Sequence, residues 1–169
     1  KVYGNADPTL TYPADSLVSG DSLLVRFNGP LVGVGTYAIN QNTLAIDDGN
    51  GGNNYTLTYT GADLTISPLA ISVTADTLAK TYGSADPTLT YTTDVSLVSG
   101  DSFTGAISRA AGENVGTYAI NQNTLAIDDG NGGNNYTLTY TGADFTINPL
   151  AITVTADAKT KIYGDADPA

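Results

Sequence analysis

The residues with the clearest potential for chemistry lie in a loop that the sequence contains twice. Residues 47–54 form an acidic run rich in glycine and asparagine, and residues 128–135 repeat it letter for letter. Hard cations prefer several oxygen ligands on a flexible backbone, and this run offers carboxylates, amides and carbonyls. We therefore predict that each copy binds calcium; the predicted ligands are Asp47, Asp48, Asn50, Asp128, Asp129 and Asn131. Because the spacing fits neither the EF-hand nor the glycine-rich nonapeptide pattern, a long hairpin loop of turn-forming residues is the competing interpretation.

A second candidate cation site is predicted where two repeats meet. Asp76 and Asp86 flank a short connection there, and the pattern returns as Asp157, Asp165 and Asp167. Calcium at such a junction would stiffen a chain of domains, whereas the competing interpretation is solubilising charge beside turns. An ion pair between Lys80 and Asp76 is also predicted to bridge the junction.

Catalysis is not expected from these residue types. The chain has no His and no Cys, and its only Glu is Glu113, so the usual bases and nucleophiles are missing. Asp47 and Asp48 are adjacent and point to opposite faces of an extended chain, so they cannot flank one glycosidic bond. We predict that the protein is not an enzyme.

The charge of the chain excludes other classes of partner. Its 169 residues carry 17 acidic and 6 basic side chains, a net charge of −11. Nucleic-acid binding is not expected, because no basic stripe exists to displace counterions from phosphate. No run of 18 apolar residues occurs, so membrane insertion is not expected either.

A repeat of about 80 residues organises the chain. Residues 34–63 recur without change as residues 115–144, and the differences between copies cluster in residues 15–33 and 94–114, where any copy-specific contact should lie. We place boundaries at Pro68 and Pro149, which lack an N–H and suit a crossing point. This gives a first repeat at 1–68 without its opening strand, a complete repeat at 69–148, and the start of a third at 149–169. We expect the chain to be a piece of a longer array.

Apolar and polar residues alternate almost everywhere, which predicts strands with one buried face. Residues 55–59 show the pattern, with tyrosine and leucine on one face and threonine on the other. Residues 60–63 between two such segments are predicted to form a hairpin turn in which Gly61 adopts positive φ. About seven strands per repeat and no convincing helix predict an all-β fold of tandem Ig-like β-sandwiches arranged in line.

One motif marks the start of every copy. Lysine, tyrosine-glycine and alanine-aspartate-proline stand at fixed spacing in residues 1–8, 80–87 and 161–168. Gly4 is predicted to adopt positive φ or to allow close backbone approach, beside a packed Tyr3. Together with residues 34–39, 54–59 and 64–68, the motif resembles the MBG domain of the YGX type. The resemblance implies an extracellular repeat array of adhesin-like proteins on the bacterial cell surface, and it transfers no catalytic residue.

The function expected from these features is that of a stalk or spacer in adhesion. The partners would be neighbouring repeats of the same chain. An alternative is a subunit of an extracellular filament, in which copies of the chain join by strand exchange. A second alternative is a carbohydrate-binding module, since the chain has 11 tyrosines, although it has no tryptophan and its pattern places most tyrosines in the core.

Overall fold

The backbone of the protein consists of short strands. The computed structural model describes residues 1–9, 11, 15–24 and 33–168. This part of the chain contains thirteen strands and no helix, which confirms the predicted all-β class. Accordingly, the described residues include no helix with the length and apolar character that crossing a bilayer requires.

The described part of the first repeat contains two pairs of antiparallel strands. Strand β1 (Ser22–Leu24) pairs with β3 (Ala45–Asp47), and β2 (Gly35–Ile39) pairs with β4 (Ala62–Ile66). Val2 forms an isolated parallel bridge with Ser67, just after β4. Within the described residues, 55–60 are not assigned to a strand and pair with none.

The second repeat has nine strands rather than the predicted seven or so, and several of them are only two to four residues long. The strands are β5 (Leu69–Ala75), β6 (Leu78–Thr81), β7 (Tyr91–Thr93), β8 (Ser102–Thr104), β9 (Ser108–Arg109), β10 (Gly116–Asn121), β11 (Ala126–Asp128), β12 (Tyr136–Thr141) and β13 (Ala143–Asn148).

These nine strands form three sheets. A three-stranded sheet has the order β12-β5-β7, a four-stranded sheet has the order β6-β13-β10-β9, and β8 pairs with β11. Strand β5 runs parallel to β12, with Leu69 opposite Tyr136, and antiparallel to β7. Strand β6 likewise runs parallel to β13. The opening strand of the repeat is therefore enclosed between two later strands.

The core of the second repeat is shared by both larger sheets. Val73 of the three-stranded sheet and Phe145 of the four-stranded sheet are fully buried in one cluster, together with Ile120 and Ile147. The alternating burial along β5 and β13 follows the alternation of apolar residues in the sequence. Two sheets that share one core are compatible with the predicted sandwich.

The hairpin predicted at residues 60–63 is wrong. In the second copy, β12 pairs with β5 and β13 pairs with β10, so the connection passes from one sheet to the other. Gly61 does not adopt positive φ. Instead, a Cβ at Gly61 would lie 3.0 Å from the carbonyl oxygen of Ile39. The glycine thus allows a close approach to the backbone of β2 at the start of β4.

Candidate functional site

The tyrosine-glycine motif forms the same tight turn in all three copies, which we call the tyrosine turn (residues 2–5, 81–84 and 162–165). In the first copy the Asn5 amide donates to the Val2 carbonyl at 3.2 Å, and the other two copies repeat this bond at 3.0 and 3.1 Å. Gly4 has a φ of 81°, which confirms the prediction and matches the third position of a type II turn. Tyrosine is thereby presented at the corner of the turn.

An ion pair closes the motif around each turn. Lysine Nζ lies 2.5 Å from the carboxylate of Asp7 in the first copy, 2.6 Å from Asp86 in the second and 2.5 Å from Asp167 in the third. The ion pair predicted between Lys80 and Asp76 is wrong. Asp76 accepts a hydrogen bond from the Thr90 hydroxyl instead, because Asp86 lies within reach of Lys80 across the turn.

The first tyrosine turn docks onto the second repeat. The Tyr3 ring meets the Tyr136 ring edge to face, with 5.4 Å between ring centroids. The Tyr3 hydroxyl donates to Asp101 Oδ2 at 3.0 Å. Both partners belong to the following repeat. The motif near the start of one repeat therefore contacts the next repeat.

Asp101 and Tyr136 are themselves coupled. The Tyr136 hydroxyl donates to Asp101 Oδ2 at 2.6 Å and accepts from the Val98 amide at 2.8 Å. Burial, reinforced by the neighbouring Asp101 carboxylate, raises the pKa of Tyr136 to about 12. The same two causes raise the pKa of Tyr3. Both tyrosines therefore act as neutral donors to one carboxylate.

Two further contacts complete the surface that receives the turn. A Cβ placed on Gly4 would lie 2.6 Å from Cγ2 of Val98, so the turn and the second repeat touch at the glycine. The Val34 amide donates to Oδ1 of the buried Asn135 at 2.9 Å. We call the receiving surface, formed by Val98, Asp101, Asn135 and Tyr136, the junction face.

An apolar cluster underlies these polar contacts and spans both repeats. Its buried members are Tyr3 and Ile66 from the first repeat and Ile71, Ile127 and Tyr136 from the second. Ile66 ends β4 and Ile71 lies in β5, with only Ser67 and Pro68 between those strands. A two-residue connection and a shared core therefore join the two repeats.

A network of four charges lies within the second repeat. Lys80 pairs with Asp86 and Glu113, and Arg109 pairs with the same two carboxylates; Arg109 Nε lies 2.6 Å from Asp86. The Arg109 guanidinium also lies 5.0 Å from the centroid of the Phe145 ring, over its face. Arg109 and Glu113 occur in the segment where the repeats differ, so this network is a copy-specific contact of the predicted kind. Residues 25–32 of the matching first-repeat segment lie outside the described residues.

The network predicts a loss of stability in acid. Arg109 and then Lys80 lower the pKa of Asp86 to about 2, and the two cations also lower the pKa of Glu113. A carboxyl group whose pKa is depressed on folding contributes stability above its unfolded pKa, which is lost as the pH falls through the folded value. The free energy of unfolding of the wild type should therefore exceed that of Asp86→Asn at pH 7, and the gap should close between about pH 4 and pH 2. Urea titrations at each pH measure this; a constant gap would contradict the assignment.

The acidic loops are organised by one carboxylate each. Asp48 Oδ1 accepts from the amides of Asn50 and Gly52 at 2.8 and 2.7 Å, and Oδ2 accepts from Asn54 at 3.0 Å. Asp129 makes the same three bonds to Asn131, Gly133 and Asn135. The backbone amides lower the pKa of Asp48 against a smaller opposing effect of burial. At Asp129 burial is the largest single cause and raises the pKa, but the three amides together outweigh it, so the pKa of Asp129 is also lowered. Asp48 and Asp129 are thus structural acceptors that shape the loop.

The other predicted ligands are placed as follows. Asp47 and Asp128 end strands β3 and β11, with exposed side chains, and Asn50 and Asn131 donate their side-chain amides to Asn54 and Asn135. Asp76 and Asp86 are engaged with different partners, Thr90 for the former and the two cations for the latter. Over the described ranges, no three acidic side chains form a group that would hold a metal ion.

Calcium binding stays a prediction with a direct test. A ligand that binds only the folded state stabilises it, so a calcium-loaded chain should melt several degrees lower after chelation. Thermal melts with calcium, with chelator and with chelator followed by excess calcium would measure the effect. An unchanged melting temperature in all three would remove both candidate cation sites.

Sequence reasoning did not identify the junction face. It assigned Tyr3 to packing but not to the next repeat, and it singled out neither Asp101 nor Tyr136. One signal was available, because residues 16–22 recur unchanged as residues 96–102 within the otherwise variable half of the repeat. The recurring segment contains Asp101 and Val98, both of which contact the turn.

Comparison with known proteins identifies one family. Its model, described as MBG domain (YGX type), matches the chain twice, at residues 1–65 and 71–146. No curated protein and no solved structure matches the chain.

Proposed function

Since the chain belongs to the MBG domain family of the YGX type and contains two such domains in tandem, we propose that it is a non-catalytic spacer. It would form part of an extended stalk in an adhesin-like protein on the bacterial cell surface. Each repeat would add roughly 30–40 Å, the length of one or two strands. The single observation that carries the proposal is the set of contacts between the two repeats. A spacer stays extended only if each repeat is fixed in direction relative to its neighbour.

The contacts of the junction support a stiff connection. Tyr3, Asp101 and Tyr136 form a hydrogen-bonded set above a buried apolar cluster, and the connecting segment is two residues long. Flexible linkage between domains is the usual outcome when the interface is small and the linker is long. The linker between β4 and β5 is only two residues long, and an apolar cluster shared by both repeats lies at the junction.

The state of the acidic side chains supports a structural role as well. Backbone amides hold Asp48, Asp94 and Asp129, and cations hold Asp86 and Glu113, with a lowered pKa in every case. A general acid or base needs the opposite adjustment, a pKa moved toward neutrality. The strongly acidic surface would also keep neighbouring stalks apart in an extracellular medium.

Small-angle X-ray scattering of the whole chain tests the spacer. We expect an elongated particle with one dominant interdomain distance. A variant with a flexible Gly-Ser insertion between Ser67 and Pro68 serves as the matched control, and its distance distribution should broaden. A wild-type profile as broad as that of the insertion variant would remove the stiff spacer, and absence of the protein from intact-cell surface labelling would remove the proposed location.

A second candidate function, a filament joined by strand exchange, is favoured by one observation. Residues 55–60 have the same letters as β12 but pair with no strand among the described residues, whereas β12 pairs with β5. Residues 150–154 are the counterpart of β5, and their apolar side chains Leu150, Ile152 and Val154 are exposed. A strand from one copy would fit beside the segment of another. Light scattering that reports a monomer at every concentration would remove this candidate.

A further inference from the structure

The three tyrosine turns have one geometry but different surroundings. Tyr3 is 9% exposed against the second repeat, whereas Tyr82 is 50% exposed in the second turn. Gly83 has a φ of 84°, close to that of Gly4, yet a Cβ placed on it would meet no atom within 4 Å. The second turn therefore has the same conformation as the docked first turn, but no surface packs against its glycine.

The first repeat carries a copy of the junction face with its internal bonds in place. The Tyr55 hydroxyl donates to Asp21 Oδ2 at 2.6 Å and accepts from the Val18 amide at 3.0 Å. These bonds match those that join Tyr136, Asp101 and Val98. Asn54 also matches Asn135, since each accepts a side-chain amide at 3.1 Å from the asparagine four residues earlier.

We propose that the second tyrosine turn of one chain docks onto the face formed by Val18, Asp21, Asn54 and Tyr55 of a second copy. The Tyr82 hydroxyl donates to Asp21 Oδ2, as the Tyr3 hydroxyl donates to Asp101. Gly83 approaches Val18, whose side chain is 69% exposed. A neutral hydroxyl donor suits this face, because Asp21 is a carboxylate that already accepts one tyrosine hydroxyl and its equivalent accepts two.

Strand pairing and a third hydrogen bond extend the same contact. The register of β5 on β12 places Leu150 of one chain opposite Tyr55 of the other, and Val154 opposite Tyr59. The exposed Val115 corresponds to Val34, so its amide would donate to Asn54 as that of Val34 donates to Asn135. A single rotation and translation generates all of these contacts. It is the one that relates the first repeat of a chain to its second repeat.

The proposed contact uses different surfaces on the two copies. The turn lies on the second repeat and the face lies on the first, so a bound pair still has one free turn at one end and one free face at the other. Such a head-to-tail contact joins the copies in line and yields chains that lengthen with concentration. The inference rests on the second candidate function above, the filament. The docked turn would position residues 150–154 of one copy beside residues 55–59 of the next.

Sedimentation velocity of the purified chain over a wide concentration range tests the proposal. The wild type should form a ladder of head-to-tail oligomers, and Tyr82→Ala and Asp21→Ala should each raise the dissociation constant about ten-fold or more. Tyr82→Phe should have a smaller effect, because it removes the hydroxyl donor and keeps the ring. Tyr163→Ala is the matched control, since it alters the same motif in the third turn and should leave association unchanged.

Mixing the two alanine variants gives the sharpest test. Tyr82→Ala keeps its face and Asp21→Ala keeps its turn, so an equimolar mixture should form a one-to-one dimer that does not grow. Circular dichroism of each variant confirms that it is folded. Association that persists in both variants, or is lost in Tyr163→Ala alone, overturns the inference. A wild type that stays monomeric overturns it together with the filament, while the scattering test of the spacer is unaffected.

Discussion

Replacing Ile71 by alanine is expected to lower the free energy of unfolding by about 2–5 kcal/mol. Ile71 is 1% exposed, lies in β5, and packs in the cluster that joins the two repeats. Truncation removes buried methyl and methylene groups and leaves a cavity that the surrounding strands fill only in part. Urea unfolding followed by circular dichroism measures the change.

The chain supplies a matched control for this substitution. Ile152 occupies the same position in the third copy of the segment, and it is 81% exposed. Ile152→Ala should change the free energy of unfolding by less than about 0.5 kcal/mol, as surface substitutions usually do. Equal effects of the two substitutions would show that Ile71 is not buried at a junction in solution.

Replacing Gly105 by alanine is expected to destabilise the second repeat by about 3 kcal/mol or more. Gly105 has a φ of 72°, which disfavours any side chain. A Cβ there would also lie 2.0 Å from the carbonyl oxygen of Thr124 and 2.6 Å from its carbonyl carbon, so backbone atoms must move. The displaced segment carries the hydrogen bonds between Ala106 and Thr124, beside the buried Leu125.

Gly100→Ala separates the two causes. Gly100 has a φ of 104°, but a Cβ placed on it meets no atom within 4 Å. Only the backbone preference is lost, so we expect a cost of about 1–2 kcal/mol. Thermal unfolding of both variants measures the difference, and a Gly105→Ala variant that melts at the temperature of Gly100→Ala would contradict the close contact with Thr124.

The strands were predictable from the sequence because their signal is local. Alternation of apolar and polar residues identifies β4, β5 and β13, and the buried positions follow that alternation. Strand partners are not local, and for this reason the hairpin predicted at residues 60–63 fails. A short connection between two strands looks the same whether they pair with each other or enter different sheets.

The junction was not predictable for a related reason. Tyr3 and Asp101 are 98 positions apart, and neither of their sequence motifs indicates that the two side chains are in contact. The sequence shows only that both segments recur. Likewise, the predicted ion pair joined Lys80 to Asp76, its neighbour along the chain, whereas the tight turn at Gly83 brings Asp86 to Lys80 instead.

The pairing of β5 with β12 determines the order in which the chain must fold during synthesis. Residues 55–60 have the same letters as β12 and are made before β5, yet only the eight residues 61–68 separate them from it. Parallel pairing needs a crossover of about a dozen residues or more, so β5 cannot use this nearer copy. Strand β5 can pair only after residues 136–141 have been synthesised, and its edge stays exposed until then. Each repeat therefore completes its fold only when its C-terminal part has been made, and forming such long-range strand pairs is slow.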